Sequence, residues 1–268
     1  MDVVIPCYNA EASVGAAIAS ALSQKRVEQV WVIDDASTDA SATVIEDWAR
    51  RHPKRITPVF LARNMGAAAA RNVALWRGES ALVAFLDADD AYEPQALDAA
   101  AIALEKHPHF ALVRLSLVPR GLPEAYAAHP KFERAWRLME MTVGGNLVIR
   151  RPVLMACGGF PEAEVFRRLG GEDGALAIAL HTRLQFGTLF GEPGVIYTFR
   201  PGAHAERLLT AQFSGELPPE VSVQDLARSR AVTRAIGERL EDLRLILSQS
   251  PPGGAALTVE WQEPGSSS

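Results

Sequence analysis

Short β-branched runs alternate with amphipathic stretches over the first ninety residues of the chain. Strands are predicted at 3–6, 30–33, 56–61 and 81–86, and the first three are each followed by a helical pattern. Alternation at this spacing indicates βαβ units with right-handed crossovers. The fold class expected is therefore α/β, with a mostly parallel central sheet and helices on both faces.

Polar clusters follow three of these predicted strands. Tyr8-Asn9 follows the first, Asp34-Asp35 ends the second, and Asp87-Ala88-Asp89 follows the fourth. Ligands of open parallel sheets bind beyond the carboxyl ends of the strands. Each cluster alone also fits a turn or a helix cap, and Asn9 could cap the first helix. Three clusters at equivalent ends favour a common ligand site.

Composition excludes several classes of protein. The 268 residues suit one large domain or two small ones, and the net charge of −5 argues against a protein that binds nucleic acid. Cys7 and Cys157 are too few for a zinc quartet or a disulfide scaffold. No apolar run reaches the 18 residues of a membrane span, and no charged leader opens the chain. We expect a soluble cytoplasmic protein without a transmembrane segment.

The second half of the chain is less regular. The patterns predict a loop or short helix at 119–136, a strand at 141–150 broken by Gly144-Gly145, a helix opening at 170–173 and a strand at 195–199. Ser222 can cap a further helix, and the tail from Ser248 onward is expected to be frayed. That helix has an apolar stripe made by Val232, Ile236, Leu240, Leu243 and Leu247. The stripe could pack on the domain, form a homodimer or lie on a membrane, and the mixed charge of the polar face favours the first two.

Two carboxylates in Asp87-x-Asp89 can bind a hard divalent cation and leave coordination positions for phosphate oxygens. The alternative is a solvated acidic turn. Glu172-Asp173 fits either a catalytic pair or acidic residues favoured by a helix N-terminus. Gly144-Gly145-Asn146 fits either the wall of an acceptor pocket or a bulged strand. Cys7 and His181 are expected to be structural.

Taken together, the motifs resemble the family 2 glycosyltransferases of the GT-A fold. The motifs that carry the resemblance are 4–11 (VIPCYNAE), 32–39 (VIDDASTD), 62–66 (ARNMG), 70–72 (ARN), 85–90 (FLDADD) and 171–173 (GED). The resemblance covers about residues 1–205. It implies a nucleotide-binding half at 1–115 and an acceptor and catalytic half at 116–205. A helical extension at 206–248 and a flexible tail at 249–268 would follow.

The resemblance implies an inverting transferase that moves one sugar from a nucleotide-diphosphate donor, with a UDP-sugar expected. It implies that the nucleotide is bound by Pro6, Tyr8, Asn9 and Asp35 near the base and by Arg71, Asp87 and Ala88 near the diphosphate. It implies that Mg²⁺ or Mn²⁺ is bound by Asp89, Asp87 and His204. It also implies that Asp173 is the catalytic base, with Glu172 beside it. For His204, simple exposure in a loop is the alternative.

The chemistry is consistent with these roles. An acceptor hydroxyl is a poor nucleophile, and a carboxylate that takes its proton contributes about 10²–10⁴-fold in rate. A metal ion stabilises the charge that gathers on the departing diphosphate. Because a metal-bound carboxylate cannot accept that proton, the base must stand apart from the Asp87–Asp89 pair.

Other functions fit the sequence less well. A sugar-nucleotide nucleotidyltransferase would carry a glycine-rich, basic loop after the first strand, whereas 6–11 has neither glycine nor a basic residue. A non-catalytic binding module would not need all the motif carboxylates. The Gln-x-x-Arg-Trp motif of processive synthases is not present, which favours transfer of a single sugar. The acceptor is left open between a saccharide, a lipid-linked glycan and a protein, as is peripheral membrane association.

Overall fold

The computed structural model describes residues 1–246 and 253–259, without the side chains of 204 and 244–246. The strands are β1 Asp2–Cys7, β2 Gln29–Asp34, β3 Ile56–Phe60, β4 Leu82–Phe85, β5 Ala91–Tyr92, β6 Leu112–Leu115, β7 Leu117–Arg120, β8 Leu147–Arg150, β9 Gln185–Leu189, β10 Val195–Thr198 and β11 Gly253–Ala256. The helices are α1 Val14–Leu22, α2 Ser41–Arg51, α3 Ala67–Arg77, α4 Ala96–Lys106, α5 Glu124–Ala127, α6 Phe132–Thr142, α7 Arg151–Cys157, α8 Glu164–Leu169, α9 Glu172–Arg183, α10 His204–Ser214 and α11 Val223–Ile246.

The main sheet has the strand order β11-β9-β6-β8-β4-β1-β2-β3. All neighbouring strands in it run parallel except β8, which is antiparallel to both β4 and β6. The parallel register places the ends of β1 and β2 side by side, with Cys7 opposite Asp34. The expected α/β class with a mostly parallel sheet is confirmed.

Successive residues of β1 point to opposite faces of the sheet and enter different hydrophobic cores. Val3 and Ile5 belong to the core that α1 covers, whereas Val4 belongs to the core that α3 covers. This alternation follows from the two-residue period of a strand. Burial of each such side chain contributes about 1.5–3 kcal/mol, so helices are held firmly on both faces.

A small second sheet, in the order β5-β10-β7, holds the segment around β10 next to the end of β4. The backbone N–H of Thr198 donates to Asp90 Oδ1 at 2.8 Å. Gly194 approaches Ser116 so closely that a Cβ at this position would lie 2.2 Å from Ser116 Oγ. Only glycine fits there, and the second sheet thereby forms one wall of the crevice, the space beyond the carboxyl ends of β1, β2 and β4.

The prediction of a strand at 141–150 is wrong for its first six residues. Met141 and Thr142 end α6, Gly144–Asn146 form a 3₁₀ turn, and β8 begins only at Leu147. The reason is the buried Asn146 side chain, whose Nδ2 donates to the carbonyls of Leu115 and Glu140 at 2.6 and 2.8 Å. The segment 119–136, expected to be a loop or short helix, contains the end of β7, all of α5 and the start of α6.

The stripe of the last helix packs on the domain itself. Ile236 and Leu240 are buried in the same core as α9 and α7, and Arg239 Nη1 donates to the Cys157 carbonyl at 2.7 Å. Ser222 Oγ accepts from the N–H of Asp225, as the predicted cap requires. Leu247 of the predicted stripe lies outside the described residues.

The frayed tail predicted from Ser248 differs from the structure at 253–259. There β11 pairs in parallel with β9, and the Leu257 N–H donates to the Thr188 carbonyl at 2.8 Å. Gly187 leaves space for the Leu257 side chain, and Val259 is buried. Backbone pairing at a sheet edge needs no apolar pattern, so a glycine-rich segment can take part. Residues 247–252 and 260–268 of the predicted tail lie outside the described residues.

Across residues 1–246 and 253–259, the helices are all too short or too polar to cross a membrane.

Candidate active site

The loop after β1 is fastened to the loop after β2. Asn9 has a φ of 50°, its N–H donates to Ser37 Oγ at 3.0 Å, and its Oδ1 accepts from the Thr38 N–H at 2.8 Å. Asparagine tolerates this left-handed conformation better than most residues. Asn9 therefore does not cap α1, which begins after Ser13. Its side chain shapes the crevice instead, and Tyr8 stays half exposed on the rim.

Asp35 lies at the end of β2 and orders the turn before α3. Its two carboxylate oxygens accept from the N–H groups of Met65 and Gly66, each at 2.7 Å. Gly66 has a φ of +89°, which favours glycine at this position. Each carboxylate oxygen can accept more than one hydrogen bond, so Asp35 can still receive an N–H from a ligand.

Arg71 is buried between the two halves of the site. Its Nη2 donates to Asp87 Oδ1 at 2.8 Å and its Nη1 donates to Glu172 Oε1 at 3.0 Å. Burial lowers the pKa of Arg71, but the charges of Asp87, Glu172 and Asp173 outweigh burial and raise it. A permanently charged guanidinium thus joins the acidic loop after β4 to the first turn of α9.

Three acidic residues follow β4 in close succession. Burial raises the pKa of Asp89, and the charge of Asp87 raises it further, against the opposing effect of Arg200. Burial likewise raises the pKa of Asp90, again with Asp87 acting in the same direction. Asp89 forms an ion pair with Arg200, just beyond β10. Buried carboxylates that repel one another favour a bound cation.

The donor set suits Mg²⁺ or Mn²⁺, because carboxylate oxygens are the ligands that such hard cations prefer. Asp87 uses Oδ1 for Arg71 and Asp89 uses Oδ2 for Arg200, which leaves one oxygen of each to a metal ion. No group of three or more His, Cys, Asp or Glu side chains is arranged for a metal among the described residues. The predicted third ligand, His204, begins α10, and its side chain lies outside what the structure describes.

Two backbone N–H groups hold the Asp173 carboxylate. Its Oδ2 accepts from the Gly144 N–H at 2.9 Å, and its Oδ1 accepts from the Gly174 N–H at 2.8 Å. The 3₁₀ turn that replaces the predicted bulged strand thereby orients this carboxylate. Burial raises the pKa of Glu172, as does the charge of Asp173, while Arg71 opposes both. Glu172 faces the arginine, whereas Asp173 faces a cavity.

A cavity of about 270 Å³ collects most of the residues predicted to bind the donor. Those that line it are Pro6, Tyr8, Asp35, Arg71, Asp87, Ala88 and Asp89. A second cavity of about 230 Å³ is lined by Asp173, and Tyr197 lines both cavities. We name them the donor cavity and the inner acceptor cavity, after the roles that the motif resemblance implies for their residues. Asn9 and Glu172 support the walls without lining the donor cavity.

Sequence reasoning missed Tyr197, Arg200 and Arg114. Arg114 is buried, and its Nη1 donates to the Val143 carbonyl and to Asn146 Oδ1 beneath the turn that holds Asp173. A charged residue within the apolar run 110–115 (FALVRL) was the available signal for it. Tyr197 and Arg200 carried no such signal, because only the second sheet brings them to the acidic loop.

Cys7 and His181 are structural, as expected. Burial raises the pKa of the Cys7 thiol to about 11, so it is not a thiolate nucleophile at neutral pH. His181 Nε2 accepts from Arg114 Nε at 3.4 Å, and the ring stacks on Phe186. Burial and the charge of Arg114 lower the pKa of His181 to about 3.

Residues 2–160 match the family model described as Glycosyl transferase family 2. The chain belongs to glycosyl transferase family 2. It is 35% identical over 99 residues to the putative teichuronic acid biosynthesis glycosyltransferase TuaG of Bacillus subtilis, a stretch of 37% of this chain and 39% of that protein. It is 31% identical over 129 residues to the poly(ribitol-phosphate) β-N-acetylglucosaminyltransferase TarS of Staphylococcus aureus, or 46% of this chain and 22% of that protein. The chain therefore spans well under half the length of these curated relatives.

Two solved glycosyltransferase structures share the same architecture. Residues 1–349 of S. aureus TarS, in complex with UDP-GlcNAc, align with a TM-score of 0.60 at 20% identity, over 91% of this chain and 72% of that one. The mannosyltransferase PcManGT of Pyrobaculum calidifontis, in complex with GDP-Man and Mn²⁺, aligns with a TM-score of 0.59 at 22% identity, over 92% of this chain and 74% of that one. At these identities the likeness shows the fold, and the GT-A fold expected from the motifs is confirmed.

Proposed function

We propose that this family 2 chain is an inverting glycosyltransferase that moves one sugar from a nucleotide-diphosphate donor, a UDP-sugar, to a hydroxyl group. The observation that carries the proposal is the division of the acidic residues between two adjoining cavities. Asp87 and Asp89 line the donor cavity, Asp173 lines the inner acceptor cavity, and Tyr197 lies between. A direct displacement needs this separation of donor and base.

In the proposed reaction, Asp173 accepts the proton of the acceptor hydroxyl. Two backbone N–H groups fix its carboxylate, and among the described residues Asp173 forms no ion pair, so its remaining lone pairs can serve as a base. Attack from the inner acceptor cavity reaches the anomeric carbon on the face opposite the diphosphate, which inverts the configuration. Glu172 acts indirectly, since its ion pair with Arg71 orients the first turn of α9.

Asp87 and Asp89 would hold Mg²⁺ or Mn²⁺, which when bound stabilises the negative charge of the diphosphate. Arg200 pairs with Asp89 at the edge of the same cavity and can add positive charge there. The nucleotide base would lie near Tyr8 and Asp35, because Tyr8 offers a half-exposed ring and Asp35 an acceptor for a ring N–H. Relatives in complex with UDP-GlcNAc and with GDP-Man and Mn²⁺ support a donor of this class.

The test is a thermal-shift panel of UDP, GDP, TDP, CDP and ADP, each with and without Mn²⁺. A ligand that binds only the folded state raises Tm by mass action. We expect a Mn²⁺-dependent rise with UDP that Asp89→Ala abolishes. Release of UDP from UDP-GlcNAc, with water as acceptor, then reports the chemistry. Absence of a shift with every nucleotide would contradict the proposed function.

A further inference from the structure

The inner acceptor cavity borders a second apolar cavity. The inner cavity lies between α6, the start of α9, β10 and α10, and its walls include Leu138, Ile178 and Leu208. An outer acceptor cavity of about 340 Å³ lies between α8, α10 and the start of α11, with Leu169 and Leu217 in its walls. Gly171 and Leu208 line both cavities. Apolar wall residues therefore extend from the cavity that Asp173 lines to the outer one.

The polar groups along the inner acceptor cavity are few and mostly engaged. Among the described side chains that line it, those with polar atoms are Asp173, Thr142 and Tyr197. Thr142 Oγ1 already donates to the Leu138 carbonyl at 2.7 Å. A sugar ring carries several hydroxyl groups, and each one buried here without a partner would cost about 1–3 kcal/mol. The inner acceptor cavity is thus built for one hydroxyl at Asp173 and for hydrocarbon beyond it.

The charged residues of the outer acceptor cavity have partners of their own. Asp225 pairs with Arg168 and accepts from Ser222 Oγ, and Arg207 lies 3.7 Å from Glu220. The remaining walls are mainly branched aliphatic side chains, among which Leu217 is 57% exposed. Ile178, in the inner cavity, is 53% exposed. Exposed aliphatic surface next to a reacting group indicates a site for an apolar ligand.

We propose that the acceptor is an alcohol carried on an aliphatic hydrocarbon chain, with its hydroxyl at Asp173 and its chain along the inner and outer acceptor cavities. This inference rests on the proposed function and names its acceptor class. The hydroxyl oxygen forms a bond to the anomeric carbon as the bond from that carbon to the diphosphate breaks. The proton passes to Asp173, and the bonding electron pair leaves with the nucleoside diphosphate.

A series of straight-chain alcohols tests the inference. The donor is UDP-GlcNAc, and the acceptors are 1-butanol, 1-hexanol, 1-octanol and 1-decanol, with methyl β-glucoside for comparison. Each buried methylene is expected to raise kcat/KM roughly fourfold until the cavities are filled. A flat series, or faster transfer to methyl β-glucoside than to 1-decanol, would overturn the inference.

Matched variants assign the effect to these cavities. Ile178→Gln places an amide in the inner acceptor cavity, and Leu217→Gln places an amide in the outer acceptor cavity. Because Ile178 and Leu217 are both more than half exposed, we expect both variants to fold. We expect kcat/KM for 1-decanol to fall about tenfold in each. Leu217→Gln should leave transfer to 1-butanol unchanged. Met155→Gln, at an exposed apolar residue of α7, is the control. Equal losses in the control would contradict the inference.

A binding measurement separates failure of this inference from failure of the proposed function. Without a donor, 1-decanol should raise Tm of the wild type and not of Ile178→Gln. If UDP binds and 1-decanol does not, the acceptor inference fails while the donor site stands. If 1-decanol binds and no nucleotide does, the proposed function fails while an aliphatic site stands. If the wild type is a dimer that Ile178→Gln dissociates, and 1-decanol does not change Tm, a second copy of the chain covers the cavities.

Discussion

The donor cavity and the inner acceptor cavity of this chain meet at Tyr197, yet the donor and acceptor cavities are built by opposite means. The donor cavity is formed by loops that follow parallel strands, and its key groups are carboxylates and a buried arginine. The acceptor cavities are formed by helices, and their walls are mainly aliphatic. In the proposed assignment, one fold holds a charged ligand with strand ends and an apolar ligand with helix faces, on either side of the proposed base.

The largest expected effect is the loss of activity in Asp173→Asn, which removes the proposed base between the donor and acceptor cavities. The amide keeps the size of the carboxylate but cannot accept the proton, so we expect kcat to fall about 10²–10⁴-fold. Because Asp173 does not line the donor cavity, the Kd for UDP should stay within about twofold of the wild type. Steady-state kinetics and calorimetric titration measure the two quantities. Wild-type turnover would mean that another group is the base.

The link between the two regions is tested by Arg71→Met. The substitution leaves Asp87 and Glu172 without their buried cation, which is expected to reduce the free energy of unfolding by about 3–5 kcal/mol. Urea denaturation gives the value. The control is Arg26→Met, which removes an exposed ion pair with Glu105 and should cost less than about 1 kcal/mol. Equal losses in the two variants would show that Arg71 does not hold the regions together.

A smaller effect is expected from pH, through the buried His181 behind the acceptor side. The folded pKa of about 3 lies below the unfolded value of about 6.5, so the unfolded state binds the proton more readily. The stability that the neutral ring contributes is complete above about pH 6.5 and is lost as pH falls from there towards 3. At pH 5 the wild type should lose about 2 kcal/mol more than His181→Gln, relative to pH 7.5.

Urea denaturation at the two pH values measures this difference, and His109→Gln, at an exposed ring, is the matched control. The same pH dependence in wild type and His181→Gln would contradict the assignment.

The smallest expected effect on stability is that of Arg200→Gln at the rim of the donor cavity. The arginine side chain is 58% exposed, so its ion pair with Asp89 should contribute less than about 1 kcal/mol. The Kd for UDP should nevertheless rise, because a positive charge near the diphosphate is lost. Thermal unfolding with and without UDP distinguishes the two quantities. A large loss of stability without any change in Kd would assign Arg200 to the fold rather than to the ligand.

The two regions also differ in how far the sequence predicts them. Strand ends such as Asp34-Asp35 and Asp87-Ala88-Asp89 are visible because a polar cluster follows a buried apolar run, and the parallel register then brings the clusters together. The acceptor walls come from α6, α8, α9 and α10, whose aliphatic residues are indistinguishable in sequence from ordinary core positions. Ile178 looks like an ordinary apolar residue of the predicted helix, yet it is 53% exposed and lines the same cavity as Asp173.

Hydrogen bonds account for the other departures from the sequence-based predictions. Asn146 turns a predicted strand into a 3₁₀ turn through bonds to the Leu115 and Glu140 carbonyls, and β11 forms through backbone pairing with β9. Asn9 braces the β2 loop rather than capping α1, because its left-handed backbone directs the amide towards Thr38. Apart from the bond to Glu140, these bonds join residues whose proximity only the tertiary fold creates.

Calorimetric titration of UDP into the wild type, Asp173→Asn and Asp89→Ala, with Mn²⁺ and again with EDTA, tests the separation of donor site and base most directly. The account predicts Mn²⁺-dependent binding of equal strength to the wild type and Asp173→Asn, and loss of that binding in Asp89→Ala and in EDTA. Loss of UDP binding in Asp173→Asn, or unchanged binding in Asp89→Ala, would contradict it.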